Sequence, residues 1–582
     1  MKRPLNVLRL AGLAVLATLA ALTTLPGPGT ALAAEAASSA PFDLLITGGR
    51  VVDGTGAPWF VADVGVRDGK IALVGKLAGQ EAKRAIEAKR TIDARGLVVA
   101  PGFIDLLGQS EYNVLVDRRA ASKITQGITT EVTGEGDSIA PLDEATLAED
   151  RDVYLRYGVS PDWTTLDGYF RSLERRGSAI NLGTFVGSGT VRALVIGREN
   201  RPATPAEMAR MEALVDQAMR EGALGVSSSL QYVPNIYSST EELIALAKVA
   251  ARYGGAYFTH QRSESGKIDA SLDEVFRIAR EAEVRTQIWH LKTAYSPNFG
   301  RMPDVLRRIE TARAAGIDVS ANQYPWNRAS NGLDACLPPW VREGGREELL
   351  KRLADPASRE RAKLEMARET KEWENQWLGA GGADGVLVAE VLDAKLKRYE
   401  GRTVAAIAAK EGKDPRDVVI DLVLADRANA FCILSIMDER DVRVALASPL
   451  VSFCTDSQAK AVDGPFGNET SHPRGWGSAA RILGHYVREE KVLRLEEAVR
   501  KMTSFAAEAA GLKDRGLVKE GFAADLTLFD PATVNALATY ETPNRYSAGI
   551  PFVVVNGVLV VDGGKVTGAA PGRALRGPGW AR

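Results

Sequence analysis

Cysteine and histidine are both scarce in this chain of 582 residues, which has three of the first (Cys336, Cys432, Cys454) and four of the second (His260, His290, His472, His485). Three cysteines exclude a disulfide scaffold, and no two of them are spaced as a zinc module requires. Any bound transition metal must draw its imidazoles from those four histidines. An excess of one charge is missing too. Lys+Arg number 73 against 74 Asp+Glu, a formal net charge of −1. No attraction to a polyanion follows, so nucleic acid is not an expected partner. Beyond residue 25 there is no apolar run long enough to span a bilayer. Disorder is excluded as a general description, because 45% hydrophobic residues supply enough apolar surface to offset the entropy of ordering. The length permits about three to five domains, or one large domain with additions.

The N-terminus has the order of an export signal. Lys2, Arg3 and Arg9 precede an apolar run from Leu10 to Leu25, then Pro26-Gly27-Pro28-Gly29 and the small-residue stretch Ala31-Leu32-Ala33-Ala34. The run is shorter than the roughly 20 residues of a spanning helix, and the Pro/Gly break favours cleavage, placed after Ala33. A signal peptide over 1–33 is therefore expected, with a periplasmic or secreted mature protein and no membrane attachment after cleavage. Three cysteines in such a compartment allow at most one disulfide.

Both ends of the mature chain read as short strands. Asp43–Ile46, Val51–Asp53, Asp63–Arg67, Lys70–Val74 and Thr91–Asp93 are separated by Gly48-Gly49 and Asp68-Gly69 turns. Ala524–Phe529, Phe552–Asn556 and Val558–Val561 have the same texture, with Asn556-Gly557 as a turn. Segments 42–100 and 512–570 are expected to form one small β-sandwich domain. Between them strands alternate with helices. Strand candidates are Leu97–Leu107, Thr129–Thr133, Ile180–Val186, Ala223–Ser229, Gly255–His260, Arg285–Leu291, Asp318–Tyr324 and Leu450–Thr455. Several have near-continuous apolar runs, which suit parallel strands buried on both faces. Pro205–Glu221, Thr240–Tyr253, Leu272–Glu281 and Pro303–Ala315 carry the helical period. This predicts an α/β fold, a (β/α)8 barrel over 101–511, with a helical insertion at about 337–437. A doubly wound sheet is the alternative, but no GxGxxG loop follows a strand.

In such barrels reactive groups sit at the C-terminal ends of strands. Those ends carry Gln109 and Glu111, Glu135 and Asp137, His260, His290 and Lys292, Tyr324, and Asp456. His260 and His290 lie on neighbouring strands about 4.8 Å apart, which suits a shared ion. Glu135, between Gly134 and Gly136, is the third candidate ligand, and Asp137 is its rival. Three protein ligands leave one position for water, the arrangement of catalytic zinc, which lowers the pKa of such a water to about 7. Asp456 is then the candidate proton shuttle, taking the proton of the attacking water and returning it to the leaving nitrogen. An aspartate there is also a good helix N-cap.

These residues resemble the amidohydrolase superfamily, and within it the N-acyl-D-amino-acid deacylases (D-aminoacylases). The resemblance runs from about Phe42 to Arg576 and includes Ala100–Asp105, Tyr324–Trp340, His472–Gly477 and Gly521–Pro531. It implies a barrel with a small β domain from both termini, zinc on His260 and His290, and Asp456 as catalytic acid/base. Arg474, in the His472-Pro473-Arg474 run, matches the family residue that grips the substrate carboxylate, a task for which the planar guanidinium fork is suited. Lys292 and Tyr324 are expected helpers, while Ser330 and Arg328 are placed to meet a polar or acidic side chain. His472 and His485 are assigned structural roles.

The chain also departs from the family. Leu107 and Gln109 stand where the family has a His-x-His metal pair, and Gly136 stands where it has a metal-binding cysteine. One zinc ion per chain, held by Glu135, His260 and His290, is expected instead of two. Gln109 is assigned to orient water or the scissile carbonyl, since an amide both donates and accepts. The expected activity is hydrolysis of N-acyl-D-amino acids to a carboxylate and a D-amino acid. Other amide hydrolases (dipeptidase, cyclic amidase, deacetylase) and a non-catalytic binding protein stay open. The partner is a small N-acyl amino acid or peptide-like amide. Nothing in the sequence specifies an oligomeric state.

Overall fold

Strands that are apolar on both faces need cover on both sides, and here they form a closed ring inside a layer of helices. In this computed structural model the described residues are 41–581, so the expected signal segment, 1–33, lies outside them. The ring comprises β1 (Phe103–Asp105), β2 (Ile128–Thr133), β3 (Asn181–Thr184), β4 (Gly225–Ser229), β5 (Ala256–His260), β6 (Arg285–Ile288), β7 (Val319–Gln323) and β8 (Val451–Phe453). β3 breaks at Phe185 and resumes as Val186–Gly187, which pairs with β4. All pairings are parallel. Closure of β8 onto β1 comes just past their ends. Gly108 bridges Ser457, the Asp456 N–H donates to the Leu107 carbonyl at 2.7 Å, and the Gln109 N–H donates to the Ser457 carbonyl at 3.2 Å.

The barrel is a filled core rather than a pore. Phe185, Phe258 and Trp289 pack with ring centroids 4.5–5.9 Å apart, and the Trp289 indole N–H donates to the Leu106 carbonyl. Outer helices begin where capping chemistry starts them. Thr204 and Glu207 form a reciprocal capping box at Pro205–Glu221, and Ser239 caps Thr240–Arg252. Among the described residues, no helix is long and apolar enough to cross a membrane.

The terminal segments meet in one nine-stranded sheet. Its order is Lys565–Val566, Val558–Asp562, Phe552–Val555, Leu526–Phe529, Val98–Pro101, Leu44–Val51, Phe60–Arg67 and Lys70–Gly75, with Thr91–Asp93 beside Leu44–Val51. It curls until Lys70 bridges Ala523, around a core of Leu44, Ile46, Val64, Ile71, Val99 and Leu526. The expected sandwich is thus a single sheet folded on itself. Val98, Phe529 and Val553 belong instead to the apolar cluster of the barrel.

Three expectations about elements are corrected. The run Leu97–Leu107 is two strands, not one. Val98–Pro101 belongs to the terminal sheet and Phe103–Asp105 to the barrel. The switch occurs at Gly102, where a Cβ would fall 2.1 Å from the Thr129 hydroxyl. Both halves are buried, so apolar pattern alone cannot mark the change. Gly48-Gly49 is not a turn but a bulge within Leu44–Val51, with Gly48 at φ +67°. The insertion does contain helices, such as Arg346–Ala354 and Pro415–Ala425, but Ala329–Gly332, Phe431–Leu434, Val386–Val388 and Arg402–Thr403 build an antiparallel sheet with it. Strands of two to four residues are too short to show alternation.

Candidate active site

A cavity of about 980 Å³ opens over the C-terminal ends of the strands. Gln109, Glu135, His260, His290, Lys292, Tyr324, Ser330, Asp456 and Arg474 all line it, so every residue singled out from sequence for metal, catalytic or substrate contact except Arg328 faces one space.

The innermost group is Glu135, His260 and His290, whose ligand atoms lie within 4.8 Å of one another. Glu135 Oε1 is 2.9 Å from His260 Nδ1 and 2.8 Å from His290 Nε2. The two imidazoles stand nearly perpendicular, centroids 4.4 Å apart. Glycine makes this approach possible. Gly134 and Gly136 have φ of +91° and +70°, and a Cβ on Gly136 would lie 2.3 Å from Ser229 Cβ. The Gln109 amide donates to Glu135 Oε2 at 2.7 Å. Gln109 therefore holds the carboxylate with one N–H, leaving its oxygen and its second N–H for water or substrate. Asp137 is outside the cluster, its carboxylate next to Gly189.

His290 itself has φ +36°, a left-handed conformation costly for a non-glycine residue, and its N–H is held by Asn322 Oδ1 at 2.6 Å. Behind both rings lies Glu264, which the sequence reading passed over. Its Oε1 is 3.1 Å from His290 Nδ1 and 2.5 Å from Lys292 Nζ, and its Oε2 is 3.9 Å from His260 Nε2. His260 Nε2 is buried and has no hydrogen-bond partner. Glu264 is four residues past His260, on the loop that leaves β5. Extending the strand-end survey by two residues past Arg262 would have found it.

Burial alone would make these charges costly. It pushes the Glu135 and Glu264 carboxyls up, but the facing cations outweigh it and hold both well below the usual carboxylate range. For Glu135 these cations are the histidines, and for Glu264 they are Lys292 with the histidines. Burial and Lys292 push His290 down, yet Glu135 and Glu264 lift it to about 9. His260 is lowered, chiefly by burial. The pocket thus attracts positive charge beyond Lys292 to the point where two imidazoles converge on a carboxylate. The donor set fits a divalent ion, with Glu264 behind the two rings, a carboxylate placement that orients ligating histidines.

Across the cavity, Asp456 Oδ2 lies 2.7 Å from Arg474 Nη1. Asp456 has φ +48° just past β8. It does not cap a regular helix, so the alternative role considered for it falls away. Burial raises its carboxyl pKa against the pull of Arg474. The Arg474 guanidinium lies 4.7 Å over the Tyr324 ring and its Nε is unpartnered. Lys292 Nζ sits 6.0 Å from the same ring. His472 fixes this arginine's backbone. Its Nδ1 accepts the Arg474 N–H at 2.9 Å, and its Nε2 pairs with the Arg328 carbonyl at 3.0 Å. Burial and Arg474 keep His472 neutral. His485 is remote, paired with Glu489 and Glu490.

Two sequence expectations change. Ser330 meets Arg474 through its backbone carbonyl, at 3.3 Å, because its strand, Ala329–Gly332, pairs with Phe431–Leu434 and runs past the guanidinium. Arg328 is not among the residues lining the cavity, and its guanidinium is instead 4.4 Å over the Tyr540 ring.

Comparison with known proteins places this geometry. Residues 451–561 match the model of the amidohydrolase family. The D-aminoacylase of Alcaligenes xylosoxydans xylosoxydans is 36% identical over 542 residues, covering 92% of this chain and 98% of that one. A solved D-aminoacylase, described as having a binuclear metal centre with one-metal activation and second-metal attenuation, superposes with a TM-score of 0.75 at 36% identity, over 92% and 100% of the two chains. An N-acyl-D-glutamate deacylase from Bordetella bronchiseptica, solved with zinc and a phosphonate mimic of the tetrahedral intermediate, gives a TM-score of 0.75 at 31% identity over the same shares.

Proposed function

Because the chain belongs to the D-aminoacylase family of metal-dependent amidohydrolases, we propose that it hydrolyses the acyl-amide bond of N-acyl-D-amino acids to a carboxylate and a D-amino acid. The observation that carries this reading is the meeting of Glu135, His260 Nδ1 and His290 Nε2 in the cavity that also holds the Asp456–Arg474 pair. Those three residues would hold one zinc ion, which when bound supplies Lewis acidity, polarising the acyl oxygen and acidifying water. Support for a single ion comes from Leu107 and Gln109 at the His-x-His positions, neither of which offers an imidazole.

The chain's own groups do the rest. Asp456 Oδ takes the proton of the attacking water and delivers it to the departing nitrogen, a task favoured by its raised pKa. Gln109 keeps Glu135 turned toward the histidines. Arg474, with its free Nε and its face on Tyr324, receives the amino-acid carboxylate, and Lys292 adds a second positive charge. The pattern of residues 2–34 supports export to a periplasmic or extracellular compartment.

The test is elemental analysis together with hydrolysis of N-acetyl-D- and N-acetyl-L-amino acids before and after chelation. About one zinc per chain is expected, with D-substrate turnover lost on chelation and restored by zinc. Turnover of L-substrates alone would remove the D assignment. Binding of an N-acetyl-amino acid with neither metal nor turnover would remove the hydrolase reading.

A further inference from the structure

Asp456 stands in a backbone conformation that a non-glycine residue keeps only when its surroundings over-determine it. The residues on either side show what does so. The Thr455 N–H donates to Asp105 Oδ1 at 2.8 Å and the Thr455 hydroxyl to Asp105 Oδ2 at 2.5 Å. Lys123 Nζ donates to that hydroxyl and to the Ser457 carbonyl, both at 2.7 Å, and to Asp105 Oδ2 at 2.8 Å. Thus Thr455 and Ser457, flanking Asp456, are held by the same buried ammonium, and Thr455 also by the carboxylate paired with it.

The neighbouring loop is tied to the same knot. Lys123 Nζ lies 3.1 Å from Glu131 Oε2. Glu131 accepts the Ser110 N–H and hydroxyl, both at 2.9 Å, and the Ser110 hydroxyl in turn accepts the Ala459 N–H at 2.7 Å. Ser110 follows Gln109. The three charged side chains are fully buried and do not line the cavity.

We propose that Lys123, Asp105 and Thr455 are positioning residues that hold the Asp456 turn in its left-handed form and so aim the Asp456 carboxylate at the metal-side cluster and Arg474. This rests on the reading of Asp456 as proton carrier. It separates the knot from ordinary core packing, because its loss should misaim one reacting group while leaving substrate binding intact.

Removing a buried charge risks the fold, so the informative variant is Thr455→Val, which deletes only the bridging hydroxyl and nearly keeps the shape. With the full chain loaded with zinc, and N-acetyl-D-methionine and N-acetyl-D-glutamate as probes, Thr455→Val should lose about 10–100-fold in kcat. KM and metal content should stay near wild type, and Thr455→Ser should restore the rate. A crystal structure of Thr455→Val should show Asp456 out of its left-handed conformation or away from Arg474. Unchanged kcat in Thr455→Val, or an unmoved Asp456 in its structure, overturns the proposal. Asp456→Asn separates the two failures. If it keeps full turnover, the proton-carrier reading itself is wrong. If it is inactive while Thr455→Val is not, only the positioning claim falls.

Discussion

Two buried knots of charge sit at neighbouring strand ends and are made of the same chemistry. Asp105, Lys123 and Glu131 form one, and Glu135, His260, His290, Lys292 and Glu264 form the other. In the first, every side-chain nitrogen and oxygen has a partner. In the second, His260 Nε2 is orphaned, and two imidazoles press on one carboxylate oxygen that would suit a cation better. A charge network that satisfies itself stabilises structure, whereas one that does not is arranged for something that arrives later.

The sharpest way to break this contrast is His290→Ala. It should abolish metal binding and lower turnover by about 10³–10⁴-fold, the several kcal/mol that a Lewis acid contributes. Kinetics with elemental analysis decide it, and a variant that keeps metal and rate would remove His290 from the site.

Lys123→Met tests the other knot and should cost stability as well as the aim of Asp456, with the metal cluster left in place. Two buried carboxylates lose their shared cation, so unfolding in urea should show a loss of about 3–5 kcal/mol. A variant as stable as the parent would mean that the knot is not structural at all.

Glu264→Gln probes the support behind the imidazoles. Metal affinity, measured by competition with a chelator, should weaken by about 10–100-fold with the fold intact. Unaltered affinity would limit Glu264 to holding Lys292.

The smallest effect expected is one of pH on the chelated protein. His290, lifted to about 9 by Glu135 and Glu264 against burial and Lys292, binds its proton more tightly folded than unfolded. Its contribution is complete below the unfolded pKa of about 6.5 and is lost as pH rises through 9. The melting temperature of the chelated protein should therefore fall by a few degrees between about pH 7 and 10. The zinc-loaded protein should fall less, because the ion replaces that proton. Parallel slopes would break the link between the proton and the metal position.

Legibility from sequence followed the same divide. The barrel could be read because helices such as Thr240–Arg252 carry their period locally and alternate with short strands such as Ala256–His260, which is buried along its length. His260 and His290 were legible because only four histidines exist and these two close adjacent strands. Glu264 was missed because a carboxylate in a Ser-Glu-Ser loop carries no period. The Lys123 knot was missed because its partners come from residues 105, 131, 455 and 457, and no local pattern joins positions so far apart in the chain.

Local chemistry in the chain was enough to specify most strands and outer helices of the barrel, because burial leaves its mark in the residues themselves, but not the short strands of the insertion or the break at Gly102. It was also enough to nominate most of the chemically active residues that face the cavity, Glu264 excepted. Folding in three dimensions settled what the residues do to one another: the turn from terminal sheet to barrel at Gly102, the diversion of Arg328 onto Tyr540, and the partition of buried charge into one satisfied knot and one unsatisfied one. The reason is that electrostatic energy depends on distances of a few ångströms between groups hundreds of residues apart, and closure of the barrel sets those distances.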